Sequence, residues 1–179
     1  MNMNYIHHYQ SLLGDIILTS DGEALNGLRF DGQKHVPAIL LANYTEKSLP
    51  VFSETVRWLN IYFSGQAPDF TPKLRLDATG FRKIVWNILL TIPFGQTMTY
   101  GEIASLIAKQ KGIPRMSAQA VGGAVGHNPI ALIIPCHRVV GANGSLTGYA
   151  GGIDKKAQLL KLERVDMAGL FIPERGSSL

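Results

Sequence analysis

A single cysteine, Cys136, stands among 179 residues. That scarcity excludes an intramolecular disulfide and any structural zinc site built from several thiolates, so Cys136 acts as a thiol or not at all. No apolar run approaches the roughly 18 residues a membrane-spanning helix needs. The opening Met1-Asn2-Met3-Asn4-Tyr5-Ile6-His7-His8 has neither a basic n-region nor an apolar h-region. A cytoplasmic protein with no membrane partner is expected. Metal-ligand clusters are missing too: His7-His8 is an isolated pair, and His35 and His127 have no thiol or carboxylate cluster at ligand spacing. They read as ordinary surface residues, with no metal and no cofactor expected.

What is present is enough apolar material, 46% of residues, to build one large or two small domains. The net charge of +4 is unevenly spread. Residues 1–79 hold six Lys/Arg against eight Asp/Glu, and 80–179 hold eleven against five, a change from −2 to +6. A basic carboxy-terminal half suits a polyanion partner through steering and counterion release. It suits plain solubility as well.

The first third alternates short β-type segments (5–9, 15–19, 25–30) with Gly14, Asp21-Gly22 and Asp31-Gly32, the grammar of a hairpin or meander. Residues 55–63 follow with a helical look, ended by Ser64-Gly65-Gln66-Ala67-Pro68, and 68–77 reads as a linker. The period then changes. Phe81, Ile84, Val85, Ile88 and Leu89 lie on one helical face begun by Asp77 or Thr79, and Thr99-Tyr100-Gly101-Glu102 reads as a capping box. Gly112-Ile113-Pro114 breaks that helix before another from about Ser117 to Val125, a pair that suits either a helix-turn-helix or plain packing. Gly122-Gly123 within the second helix points to close backbone approach, with helix-on-helix packing the simpler cause. The fold class expected is α+β, with a small amino-terminal domain (1–75), a mainly helical domain (76–166) and a frayed tail (167–179).

Residues 130–134 are wholly apolar, fit a short buried strand, and run into Pro135-Cys136-His137-Arg138-Val139-Val140. Pro135 stiffens the position of the thiol. A thiolate forms near neutral pH only beside a base or positive charge, and His137 and Arg138 come next in the chain. In extended chain adjacent side chains diverge, so His137 reaches the sulfur in a turn or through one water. A packed cysteine beside two surface cations would give the same three letters. Downstream, an Asn143-Gly144 turn and the glycine-rich Gly148-Tyr149-Ala150-Gly151-Gly152 can offer backbone amides to a ligand. On the last helix Ile153, Ala157 and Leu160 mark the inward face, and Glu163 continues it. A buried carboxylate needs a partner. His137 is one candidate, with the tautomer thereby fixed; Lys161, Arg164 or a helix end are others.

Asn128-Pro129, the apolar segment, Pro135-Cys136-His137-Arg138-Val139, Tyr149-Ala150-Gly151-Gly152 and Glu163 together resemble the methylated-DNA–protein-cysteine methyltransferases over residues 78–166. The resemblance implies an amino-terminal ribonuclease-H-like α/β domain and a helical domain with a helix-turn-helix. It implies a monomer that binds duplex DNA, flips out an O6-alkylguanine and takes the alkyl group onto Cys136 in one irreversible displacement. On the same basis His137 is the water-mediated base, Glu163 its orienting partner, Asn128 the holder of the turn and Tyr100 the hydroxyl donor to the departing guanine. Val139, Tyr149, Ala150, Gly151 and Arg138 fall among the substrate- and DNA-binding residues, and O4-alkylthymine is a further possible substrate.

One position departs from that pattern. The recognition-helix arginine that fills the gap left by the flipped base is Gln119 here, with Arg115 one turn earlier, and the chain between Tyr100 and Gln119 is longer than in some relatives. Gln119 can still stack and hydrogen-bond, without the charge. A non-catalytic lesion-binding relative would lack the acceptor cysteine, whereas Cys136 is present. A regulator using only the two-helix unit would not need Cys136. A thiol phosphatase would want an arginine where Ala142 stands.

Overall fold

The computed structural model describes residues 4–33, 43–78 and 80–174; His35, Thr79 and the chain beyond Glu174, on which parts of the sequence reading fall, lie outside the described residues. Two compact units emerge, one from residues up to 77 together with 129–131, the other from 78–128 together with 132 onward.

In the first unit β1 (Asn4–Ser11), β2 (Gly14–Ser20), β3 (Leu25–Phe30) and β4 (Tyr44–Glu46) form a sheet of order β3-β2-β1-β4. β1 to β3 are the expected antiparallel meander, and β4 adds in parallel beside β1. The turn after β2 forms because the Asp21 carboxylate accepts the amides of Glu23 and Ala24, both at 2.9 Å, and Gly22 takes a φ of 106°. Helix α1 (Pro50–Phe63) starts more than a turn before the periodic stretch that announced it. Pro50 occupies its first turn, where a missing N–H leaves no bond unmade. Residues 68–77 are also more than a linker: Leu25 donates to Lys73 and Arg75 donates back to Leu25, both at 2.8 Å.

The apolar segment 130–134 is not the strand its composition suggested. It makes one parallel bridge, Leu28 to Ile130, then turns, with Leu132 at a φ of 68°. Its side chains are all buried, as a wholly apolar run requires, but the backbone turns where a strand was expected.

The second unit contains α2 (Gly80–Leu89), β5 (Met98–Thr99), α3 (Tyr100–Lys111), α4 (Ala118–Gly126), β6 (Val139–Val140) and α5 (Ile153–Leu162). The capping box is formed in both directions, Glu102 N–H to Thr99 Oγ1 at 3.1 Å and Thr99 N–H to Glu102 Oε2 at 2.7 Å. Gly112 closes α3 in the left-handed region and Ser117 caps α4. The Trp86 indole donates to Ala124 O at 2.9 Å and pins α2 against α4. Gly122 is buried there, whereas a Cβ on Gly123 would meet nothing within 4 Å. β5 and β6 pair in parallel, Met98 with Val139 and Thr99 with Val140.

The tail expected from residue 167 is partly built in. Val165, Met167 and Leu170 pack on Val140, Leu146, Ala157 and Leu160, while Leu146 donates to Phe171 O at 2.9 Å. Gly144 must be glycine: its φ is 89°, and a Cβ would collide with the Gly169 carbonyl. Among the described residues no helix is long and apolar enough to cross a membrane.

Candidate active site

Cys136 opens a short 3-10 turn, Cys136–Arg138, delivered by the buried 130–135 segment and closed by Val139, whose amide donates to Cys136 O. The turn answers how neighbouring side chains serve one site, since a tight turn does not alternate faces as a strand does. Cys136 and His137 are both buried, the latter completely. Asn128 bridges the approach, donating from Nδ2 to Ile134 O at 2.7 Å.

The C-terminal end of α5 presents Glu163 to this turn. Its Oε1 lies 2.6 Å from His137 Nε2 and 3.1 Å from Arg138 Nη2; its Oε2 takes Arg138 Nε at 2.8 Å and the Gly95 amide at 3.1 Å. Arg138 Nη1 donates to Ile92 O at 2.6 Å, and the guanidinium lies 5.8 Å from the Phe94 ring. Arg138, read from sequence among the DNA contacts, therefore turns its guanidinium inward and clamps the carboxylate; only 8% of it is exposed. A fork of N–H donors against a carboxylate is the geometry that arginine supplies and lysine does not. Burial raises the Glu163 carboxyl, but the bonds and charges of His137 and Arg138 outweigh it and hold it at about 2. Burial also drives His137 below its usual value, against the pull of Glu163. A neutral His137 donating from Nε2 to an ionised Glu163 satisfies both, and leaves Nδ1 as the basic nitrogen.

Burial pushes the Cys136 thiol up, opposed by an Asn128 hydrogen bond, the charge of Lys156 and the backbone amides of Cys136 and His137. Lys156 escaped the sequence reading. It is 0% exposed, and its Nζ donates to Val139 O at 2.5 Å and Thr147 O at 2.7 Å. Burial lowers it to about 8, with Cys136 raising it. The signal was available: position 156 falls between Ile153 and Leu160 on the inward stripe of α5, where a lysine needs polar partners. Val139 thus has its amide bonded to Cys136 and one lone pair of its carbonyl to Lys156.

Tyr100, at the start of α3, donates to Thr147 O at 3.2 Å; burial, then the nearby Cys136, pushes its hydroxyl up to about 12, so it stays a donor. The Tyr149 hydroxyl is buried with no hydrogen-bond partner among the described residues, and its ring meets His137 edge-on at 6.4 Å. Ala150 and Gly151, partly buried, follow it. Gln119 and Arg115 lie elsewhere on the unit, exposed on α4 and on the turn before it.

Two family models cover nearly the whole chain. The 6-O-methylguanine DNA methyltransferase ribonuclease-like domain matches residues 4–78, and the DNA binding domain of the same name matches residues 80–165. A methylated-DNA–protein-cysteine methyltransferase of Mycobacterium tuberculosis is 45% identical over 160 residues, 88% of this chain and 92% of its own. One of Methanosarcina acetivorans is 45% identical over 159 residues, 89% and 97%. Among solved structures, Mycobacterium tuberculosis OGT in complex with DNA superposes with a TM-score of 0.76 at 45% identity, over 89% of this chain and 92% of that one. An O6-methylguanine DNA methyltransferase from Methanococcus jannaschii gives 0.61 at 29% identity, over 96% and 100%.

Proposed function

The chain belongs to the 6-O-methylguanine DNA methyltransferase family, and from that premise we propose that it repairs duplex DNA by moving an alkyl group from O6 of guanine onto its own Cys136. The observation that carries the reading is the buried relay in which an ionised Glu163 holds neutral His137 at 2.6 Å, with the acceptor cysteine next in the chain.

The O6 substituent of a stacked guanine is out of reach of a buried thiol, so the base must leave the helix to meet it. The thiol proton passes through one water to His137 Nδ1, and the sulfur then attacks the alkyl carbon. The carbon–O6 bond breaks and its electron pair departs on the guanine, which leaves as an anion steadied by a hydrogen bond from the Tyr100 hydroxyl; the positive charge gained by His137 with the thiol proton balances it. Lys156 holds a positive charge near the sulfur while it is a thiolate. The Tyr149 hydroxyl, which has no hydrogen-bond partner among the described residues, and the glycine-rich loop with Ala150 and Gly151 provide the polar contacts for the flipped base. The Val139 carbonyl, with one lone pair beyond the one Lys156 takes, helps read its edge. A thioether is a poor leaving group, so each molecule acts once. The α3–α4 pair serves as the helix-turn-helix, with Gln119 standing in the stack and Arg115 beside it. Every group of the relay is supplied within a single chain, which supports a monomer as the working form.

Intact-protein mass after incubation with a duplex carrying one O6-methylguanine tests this. A gain of one methylene, about 14 Da, saturating at one per protein and absent in Cys136→Ala is expected. Selective binding of the damaged duplex with no mass gain would leave a lesion sensor instead.

A further inference from the structure

The carboxy-terminal unit carries a long stretch of one charge sign. Between Glu102 and Asp154 there is no Asp or Glu, and the cations are Lys109, Lys111, Arg115 and Arg138. Arg138 is committed to Glu163, and the Lys111 ammonium lies 5.8 Å from the Phe81 ring. Lys109 and Arg115 are exposed, and neither forms an ion pair with a described residue. Both line the same cavity, about 730 Å³, between α3, along its length from Gly101 to Lys109, and the turn that leads into α4. Its floor is kept open by small residues, Gly101, Ala104 and Ala108, and among the described residues no acidic one lines it. Helix α4 itself, AQAVGGAVG, has no charged side chain.

Isolated surface cations are ordinarily just solvated. Two cations on the walls of one concavity, with no counter-charge in the surrounding fifty-odd residues of sequence, instead focus a positive field into it. The volume is large for a single small anion and suits a length of anionic chain. We infer that this groove seats the sugar–phosphate backbone of duplex DNA, gripped by Lys109 and Arg115, while the charge-free α4 enters the duplex beside it. The inference rests on the proposed reading that duplex DNA is the partner. It moves the source of affinity off the recognition helix, where Gln119 offers no charge, to the lengthened turn before it. Phosphate contacts carry no sequence or lesion information, so the groove sets grip and register rather than choice of base.

The test is a fluorescence-anisotropy titration of an undamaged duplex at several salt concentrations. Lys109→Gln and Arg115→Gln should each lower the slope of log affinity against log salt by about 0.9, and the double variant by about twice that. Lys109→Arg should keep the original slope. The loss should be the same on a duplex carrying O6-methylguanine. A double variant with the unaltered slope overturns the proposal, and so does a loss confined to the damaged duplex, which would place these residues at the lesion. Undamaged DNA has no alkyl group to give, so this result and the mass test of Cys136 alkylation can fail independently.

Discussion

The cysteine turn and the α3–α4 face belong to the same compact unit and are built on opposite principles. Around Cys136 every charged group is buried and answered: Glu163 by His137, Arg138 and the Gly95 amide, Lys156 by two carbonyls. Before α4 the charges of Lys109 and Arg115 are exposed and have no ion-pair partner among the described residues, and the helix that follows them is neutral. A displacement at carbon needs its base, acid and nucleophile fixed before the substrate arrives, because reorganising dipoles during the reaction raises the barrier. A groove for a polyanion needs the opposite, since cations already paired would have to exchange partners to bind it. Substitutions in the first region should therefore be large and cooperative, and in the second small and additive.

Three substitutions test the first region. Cys136→Ala should abolish alkyl transfer outright, as measured by protein mass, while DNA binding persists. Glu163→Gln should destabilise by about 3–5 kcal/mol, because it strands a buried guanidinium. Its thermal midpoint should fall far more than that of a double variant replacing both Glu163 and Arg138 with apolar residues of similar volume. Equal falls would mean that the clamp is not a coupled pair. Tyr100→Phe removes the hydroxyl that donates to Thr147 and, in the proposed reaction, to the leaving guanine. The single-turnover rate should fall about 100-fold with little loss of binding; an unchanged rate would remove Tyr100 from the chemistry.

The same region sets the response to acid. His137, driven below its usual 6.5, binds fewer protons folded than unfolded, so stability is lost as pH falls through 6.5. Glu163, held at about 2 against 4.5, contributes stability that is complete above 4.5 and lost as pH falls towards 2. Both act in one direction, and the thermal midpoint should drop from about pH 6.5 downwards and more steeply below about 4.5. Glu163→Gln should lose the lower part of that profile. A midpoint flat from pH 7 to 3 would contradict the ionised Glu163.

The two regions also differ in how far the sequence announced them. The capping box at Thr99, the start of α4 near Ser117, the meander of β1 to β3 and the α5 face ending on Glu163 follow from local rules of spacing and hydrogen bonding, and all are present. Residues 130–134 were misread because a buried apolar run looks alike as strand or turn, and only the partner backbone decides. The early start of α1 was hidden because Pro50 reads as a breaker unless its place at the first turn is known. Lys156 and the inward Arg138 were missed for one reason: a cation is assigned to solvent until the buried acceptors opposite it are known, and those arrive from distant segments, Thr147, Ile92 and Glu163. The groove at Lys109 needs two helices placed together, which spacing along one chain does not supply.

The smallest effect belongs to Gln119. If the α3–α4 face works by independent phosphate contacts, a charge added to α4 should simply add to them. Gln119→Arg should then steepen the salt dependence on undamaged duplex by about 0.9, and its effect should sum with that of Lys109→Gln, leaving the double variant near the original slope. An arginine that instead enters the base stack would tighten binding with little change of slope, since stacking releases no counterion, and would favour the damaged duplex, whose flipped base leaves a gap to fill. Comparing slope with affinity in one titration series thus separates charge from insertion at the position where this chain lacks the arginine.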